Sequence, residues 1–112
     1  MVGTPALVSA GFFSLDLPAE DLARHAARMQ SESLRVAIET SGLRLPRPQS
    51  GTPMLVLAAA ADRVFTLAEV TATARAWHAE LDVLSDLAHD VMLDTRWERA
   101  AARVAQWLAG RF

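Results

Sequence analysis

The chain has 112 residues, of which 52% are hydrophobic, and its formal net charge is −2. A chain of this length forms one small domain, and its high apolar content suggests surface that a partner subunit or further sequence would cover. All eleven basic residues are arginines scattered along the sequence. Because no basic run is available to neutralise a phosphate backbone, we do not expect nucleic-acid binding.

Other functional classes are disfavoured by features that the sequence lacks. There is no cysteine, which excludes disulfides and thiolate zinc sites. The opening stretch MVGTPALVSAGFF, residues 1–13, lacks the basic start of a secretory signal. No apolar run approaches the ~20 residues of a membrane span. We therefore expect no membrane contact and, by default, a cytoplasmic location.

Residues 1–48 predict a helical segment. The stretch LDLPAEDLARHAARMQ, residues 15–30, is typical of a helix entered through Pro18. The stretch SESLRVAIETSG, residues 31–42, indicates a second short helix with a serine cap and a glycine stop. The proline-rich stretch LRLPRPQSGTP, residues 43–53, cannot continue a helix and marks the best internal boundary.

Residues 49–112 predict a strand–helix–strand–helix unit. The unbroken apolar run MLVLAA, residues 54–59, is typical of a strand covered on both faces. In TLAEVTATARAW, residues 66–77, Thr and Glu stand at capping-box spacing and open a helix. ELDVL, residues 80–84, alternates polar and apolar residues like an edge strand with one covered face. DTRWERAAARVAQWLAG, residues 94–110, predicts the last helix.

This order of elements predicts an α/β fold with two parallel strands joined by a helical crossover. The carboxyl ends of parallel strands lie at one edge of the sheet, where open α/β sheets hold their sites. Asp62 follows the first strand, and His89, in the stretch LSDLAHDVMLD, follows the second. We therefore expect this carboxylate and this imidazole to meet. The structural alternative is a turn aspartate and a hydrogen-bonded loop histidine.

Several polar residues around His89 raise the question of a metal site: Asp86, His89, Asp90 and Asp94. Their spacing matches no standard ligand motif, and loops that bind hard metals supply more oxygens. We therefore expect neither a metal nor another cofactor. Asp94 is interpreted as the cap of the last helix.

The other histidines and two of the tryptophans favour structural interpretations. His25 lies within a predicted helix and His78 at the end of another, so both are expected to be structural or exposed. Trp97 and Trp107 fall close to the same face of the last helix, which favours core packing over a cofactor site.

Two stretches of the chain resemble the C-terminal portion of an α/β-hydrolase: TPMLVLAAAADRVF, residues 52–65, and LDVLSDLAHDVMLDTRWERAAARVAQWL, residues 81–108. In that family a late strand is followed by the acid of the catalytic triad, and the last strand by the triad histidine and the final helix. The resemblance implies that Asp62 is the acid and His89 the histidine. It also implies that residues 1–48 hold the end of the helical cap, from about Phe12, and that residues 49–112 are the βαβα tail of the sheet.

The chain departs from the family in lacking the nucleophile elbow, a G-x-S-x-G turn between a strand and a helix, and the oxyanion loop. None of the seven serines has glycines at elbow spacing: Ser9, Ser14, Ser31, Ser33, Ser41, Ser50 and Ser85. A complete member of the family has a sheet of about eight strands, whereas this sequence offers two clear ones.

Two function classes follow from this sequence. The first is a C-terminal fragment of a hydrolase that carries the acid and the histidine but no nucleophile. In the complete enzyme it would cleave an ester or amide bond in a small-molecule substrate. The second is a non-catalytic oligomeric or interaction domain derived from the same fold. The expected partner is another copy of the chain or the missing N-terminal half.

Overall fold

The computed structural model describes residues 5–29 and 51–112. Its elements in chain order are α1 (Pro5–Phe12), α2 (Ala19–Ala26), β1 (Leu55–Ala59), α3 (Leu67–Ala76), β2 (Glu80–Leu84) and α4 (Trp97–Ala109). The predicted helix over residues 31–42 and most of the predicted connector lie outside the described residues. The predicted boundary between residues 48 and 49 lies there too.

The two strands form a parallel pair, with α3 as the crossover between them. Their register runs from Leu55 opposite Glu80 to Ala59 opposite Leu84. Pairing continues one residue past β1, where the Ala60 N–H donates to the Leu84 carbonyl at 2.9 Å. The predicted α/β class and the predicted order of the C-terminal elements are therefore confirmed.

A capping box starts α3, as the spacing of Thr66 and Glu69 predicts. The Thr66 hydroxyl accepts a hydrogen bond from the Glu69 N–H at 3.3 Å, and the Glu69 carboxylate accepts one from the Thr66 N–H at 2.8 Å. These bonds satisfy two N–H groups that have no partner within the helix. The helix ends just before His78, whose φ of 51° turns the chain into β2.

We expect Thr66→Ala to lower the free energy of unfolding by about 1 kcal/mol, because the variant loses the side chain that accepts from the helix N-terminus. Urea unfolding followed by circular dichroism measures this change. Thr71→Ala is the matched control, since the Thr71 hydroxyl only bonds back to the Leu67 carbonyl within the same helix. Equal losses in both variants would contradict a capping role for Thr66.

The buried core lies at the carboxyl ends of the two strands. It is a cluster made of Ala59, Leu84, Leu87 and Ala100, with Leu57 and Val91 packed against it. Leu87, in the loop after β2, has no exposed surface and joins the strand ends to α4. The core therefore fixes the loop that carries His89.

Burial of the strands is less extensive than the sequence predicts. In β1 only Ala58 and Ala59 are buried, so the prediction of full cover on both faces is wrong for the first half of the strand. In β2 the apolar residues Leu81 and Val83 are exposed, whereas Asp82 is half-buried and pairs with Arg103 of α4. The described elements therefore cover Leu81 and Val83 only in part.

The N-terminal helices also differ from the sequence prediction. The sequence does not predict helix α1, because the stretch PALVSAGF is apolar nearly throughout and has no polar face. Helix α2 begins after Pro18, as predicted, but ends at Ala26 in a turn rather than continuing to Gln30.

In the described part of the chain, no helix is long and apolar enough to cross a membrane.

Candidate functional site

Asp62 and His89 lie together at the carboxyl edge of the parallel pair. The His89 Nδ1 atom lies 3.0 Å from the Asp62 Oδ2 atom. The loops that carry them are joined directly, because the Ala61 N–H donates to the Leu87 carbonyl at 3.0 Å. The prediction that the two side chains meet at this edge is confirmed.

The two carboxylate oxygens of Asp62 have separate roles. Oδ1 accepts hydrogen bonds from the N–H groups of Val64 at 2.7 Å and Phe65 at 3.1 Å, which is an Asx turn at the end of β1. This turn orients the carboxylate and leaves Oδ2 for His89. Partial burial raises the pKa of Asp62, but the hydrogen bonds from His89 and from these two N–H groups outweigh burial and hold the pKa below its usual range.

The environment of His89 fixes the position of its imidazole. The centroid of its ring lies 5.4 Å from the centroid of the Phe12 ring, in an edge-to-face arrangement, and 5.5 Å from the centroid of the Phe65 ring. The His89 side chain is 27% exposed and the Asp62 side chain 10%, so the carboxylate is the better shielded of the two. An ionised carboxylate can only accept, so Nδ1 carries the proton and the lone pair of a neutral imidazole lies on Nε2. This is the tautomer that a general base requires.

Asp94 is not the helix cap that the sequence predicts. Helix α4 begins at Trp97, and Arg96 holds the N-cap position. Asp94 is 1% exposed and accepts four hydrogen bonds: from the Ser14 N–H and hydroxyl, the Ala88 N–H and the Thr95 N–H. Burial raises the pKa of this carboxyl, but the four bonds outweigh burial and keep the pKa below its usual range.

Asp90, next to His89, is in a different environment from Asp94. Its Oδ1 atom is buried and has no hydrogen-bond partner among the described residues. Burial raises the pKa of this carboxyl above its usual range, although the nearby imidazoles of His89 and His25 oppose the shift. Its backbone N–H donates to the Phe12 carbonyl at 2.9 Å. The end of α1 is thus bonded to the loop that carries His89.

The remaining predicted residues are distributed as follows. His25 stacks on the Phe13 ring at 5.5 Å, and His78 is exposed at the end of α3. Trp97 is exposed, so the prediction that it packs in the core is wrong. Trp107 is half-buried, and the Arg111 guanidinium lies over its ring. Within residues 5–29 and 51–112, no group of three or more acidic or histidine side chains is arranged to hold a metal.

An apolar groove of about 410 Å³ runs along β1, away from the Asp62–His89 pair. Its walls come from β1, α3 and α4 and comprise Pro53, Met54, Leu55, Val56, Leu57, Thr73, Trp77, Val104, Trp107 and Leu108. On the α4 side, Val104 is 39% exposed and Leu108 is 44% exposed. The outer edge of β1, among the described residues, pairs with no other strand.

Comparison with protein-family models, with curated proteins and with solved structures finds no match to this chain.

Proposed function

We propose that the chain is the C-terminal part of an α/β-hydrolase, in which Asp62 is the triad acid and His89 is the general base. The complete enzyme cleaves an ester or amide bond of a small-molecule substrate, and its serine nucleophile lies on sequence outside these 112 residues. This proposal is based on the 3.0 Å contact between His89 Nδ1 and Asp62 Oδ2 at the carboxyl edge of a parallel strand pair. A cytoplasmic location is part of the same proposal.

In this mechanism His89 Nε2 takes the proton of the serine hydroxyl as the oxygen attacks the substrate carbonyl. The resulting imidazolium then gives that proton to the leaving group. Asp62 keeps the required tautomer and stabilises the imidazolium, because its low pKa keeps it ionised while His89 is charged. Histidine suits both transfers because its ordinary pKa, about 6.5, lies near neutral pH.

A second candidate is a non-catalytic oligomeric or interaction domain derived from the same fold. It is favoured by the apolar groove along β1 and by the exposed faces of β2 and α4. Exposed apolar surface and an unpaired strand edge are both typical of interfaces.

The coding sequence upstream of Met1 separates the two candidates. An in-frame G-x-S-x-G motif between a strand-like run and a helix-like run supports the hydrolase. The encoded upstream polypeptide, mixed with this chain, should then hydrolyse an activated aryl ester. That turnover should be lost in mixtures made with His89→Ala or Asp62→Ala. Turnover that survives both substitutions would reject the assigned roles, and an upstream sequence without the motif would favour the interaction domain.

The isolated chain is expected to show no ester turnover above background. Without a nucleophile, His89 can only assist the attack of water, which contributes modestly. The measurement is release of product from an activated aryl ester by the purified chain, with His89→Ala as the matched control. Turnover that disappears in His89→Ala would mean that the 112 residues contain their own nucleophile.

A further inference from the structure

Asp94 connects three segments that are far apart in the sequence. Its Oδ2 atom accepts from the Ala88 N–H at 2.8 Å and from the Ser14 hydroxyl at 2.7 Å. Its Oδ1 atom accepts from the Ser14 N–H at 3.1 Å and from the Thr95 N–H at 2.9 Å. A single buried carboxylate therefore joins the turn after α1, the residue before His89 and the approach to α4.

The bond to Ala88 determines the path of the backbone at His89. Ala88 immediately precedes His89 and is itself buried. The same loop is closed from the other side, where the Asp94 N–H donates to the Asp90 carbonyl at 3.1 Å. Asp94 thus bonds to the residue on each side of His89, to Ala88 through its carboxylate and to Asp90 through its backbone N–H. Among the described residues, no hydrogen bond joins the Asp94 carboxylate to the imidazole.

Ser14 extends this support to the aromatic side of the imidazole. It lies two residues after Phe12, whose ring is edge-to-face with the His89 ring and whose carbonyl accepts from the Asp90 N–H. Anchoring Ser14 to Asp94 therefore keeps Phe12 against His89. One carboxylate fixes both the backbone of the histidine and one of the two rings that flank it.

We propose that Asp94 is the positioning residue of His89, the group that holds its backbone and its Phe12 neighbour so that Nδ1 faces Asp62. This inference rests on the proposed function, in which the Asp62–His89 pair works as acid and base. Loops do not keep a reactive geometry on their own, and supporting hydrogen bonds to the loop are the usual means of holding it. Asp94 acts through the loop and touches no reacting atom.

Asp94→Asn tests this role with almost no change in volume. Each oxygen of the Asp94 carboxylate accepts from at least one backbone N–H. The amide NH₂ of the variant must therefore face an N–H whichever way it is turned. The readout is the proton on His89 Nδ1, observed by proton NMR of the purified, ¹⁵N-histidine-labelled chain and assigned by its absence in His89→Gln. A purely structural role would lower the unfolding temperature without altering this proton in the folded protein.

We expect the Nδ1 proton to be visible in the natural sequence and lost to water exchange in folded Asp94→Asn. Its persistence in folded Asp94→Asn would overturn the positioning role and leave the Asp62–His89 pair intact. Its absence from the natural sequence would overturn the Asp62–His89 pair and, with it, both the proposed function and this inference.

Ser14→Ala provides the test if Asp94→Asn does not fold, because it removes a single donor and leaves the carboxylate in place. The exchange rate of the Nδ1 proton with water should then rise severalfold. Ser85→Ala, at an exposed position in the same loop as His89, is the matched control and should leave the rate unchanged. An equal rate in Ser14→Ala and the natural sequence would overturn the proposal.

Discussion

Asp94→Ala is expected to lower the free energy of unfolding by about 3–5 kcal/mol. Four donors lose the charged group that accepts their hydrogen bonds, and one of them, the Ala88 N–H, is left buried without that acceptor. Domains of this size are stable by only about 5–15 kcal/mol, so the loss is a large share of the total. Urea unfolding at neutral pH, followed by tryptophan fluorescence, measures the difference.

The same carboxylate should make the protein sensitive to acid. The pKa of Asp94 is lower in the folded state than its ordinary value of about 4, so its contribution to stability is complete above that value. The contribution is lost as the pH falls below about 4 and through the lower folded-state pKa. The free energy of unfolding should therefore decline less steeply in this acidic range for Asp94→Ala than for the natural sequence.

Asp16→Ala is the matched control for the measurement at neutral pH. Asp16 lies in the same turn as Ser14 and pairs with Arg96 at 2.6 Å, but its side chain is about half exposed. Exposed ion pairs contribute little to stability, so this variant should stay close to the natural sequence at neutral pH. A loss for Asp94→Ala no larger than that for Asp16→Ala would contradict the role assigned to the buried carboxylate.

The sequence predicts the C-terminal fold because its signals are local. The run around β1, the capping box of α3 and the alternation in β2 each depend on a few neighbouring residues. Parallel pairing then follows from the order strand–helix–strand, which places the loops after both strands at one edge. The contact between Asp62 and His89 is a consequence of that order, which is why it can be predicted without coordinates.

The role of Asp94 depends on contacts between distant parts of the chain, and these have no local signal. Ser14 lies 80 positions from Asp94, and nothing in the spacing of either residue indicates that they meet. The aspartate stands just before a helix, where local rules favour a cap. Similarly, the alternation in β2 predicts that one face is covered but does not identify a covering element, and Leu81 and Val83 are exposed.

The purified chain is expected to form a dimer at micromolar concentration. In the described residues, the groove along β1, the open edge of that strand and the exposed side of α4 form one continuous apolar region. In a purified sample the only molecule available to cover this region is another copy of the chain. A twofold dimer is the simplest closed arrangement. Light scattering across a concentration series should give twice the 12.1 kDa mass of the chain.

Charge placed in the groove should separate the two copies. Val104 and Leu108 are one helical turn apart on α4 and both line the groove, so Val104→Glu or Leu108→Glu would place a carboxylate against apolar surface of the partner. Ala102→Glu is the matched control, because it adds the same charge about 200° around the helix from Val104, at an exposed position. Monomers in the first two variants and a dimer in the third would locate the interface at the groove. A monomer of the natural sequence at every concentration would show that the groove needs no second copy. A dimer that persists in all three variants would place the interface elsewhere.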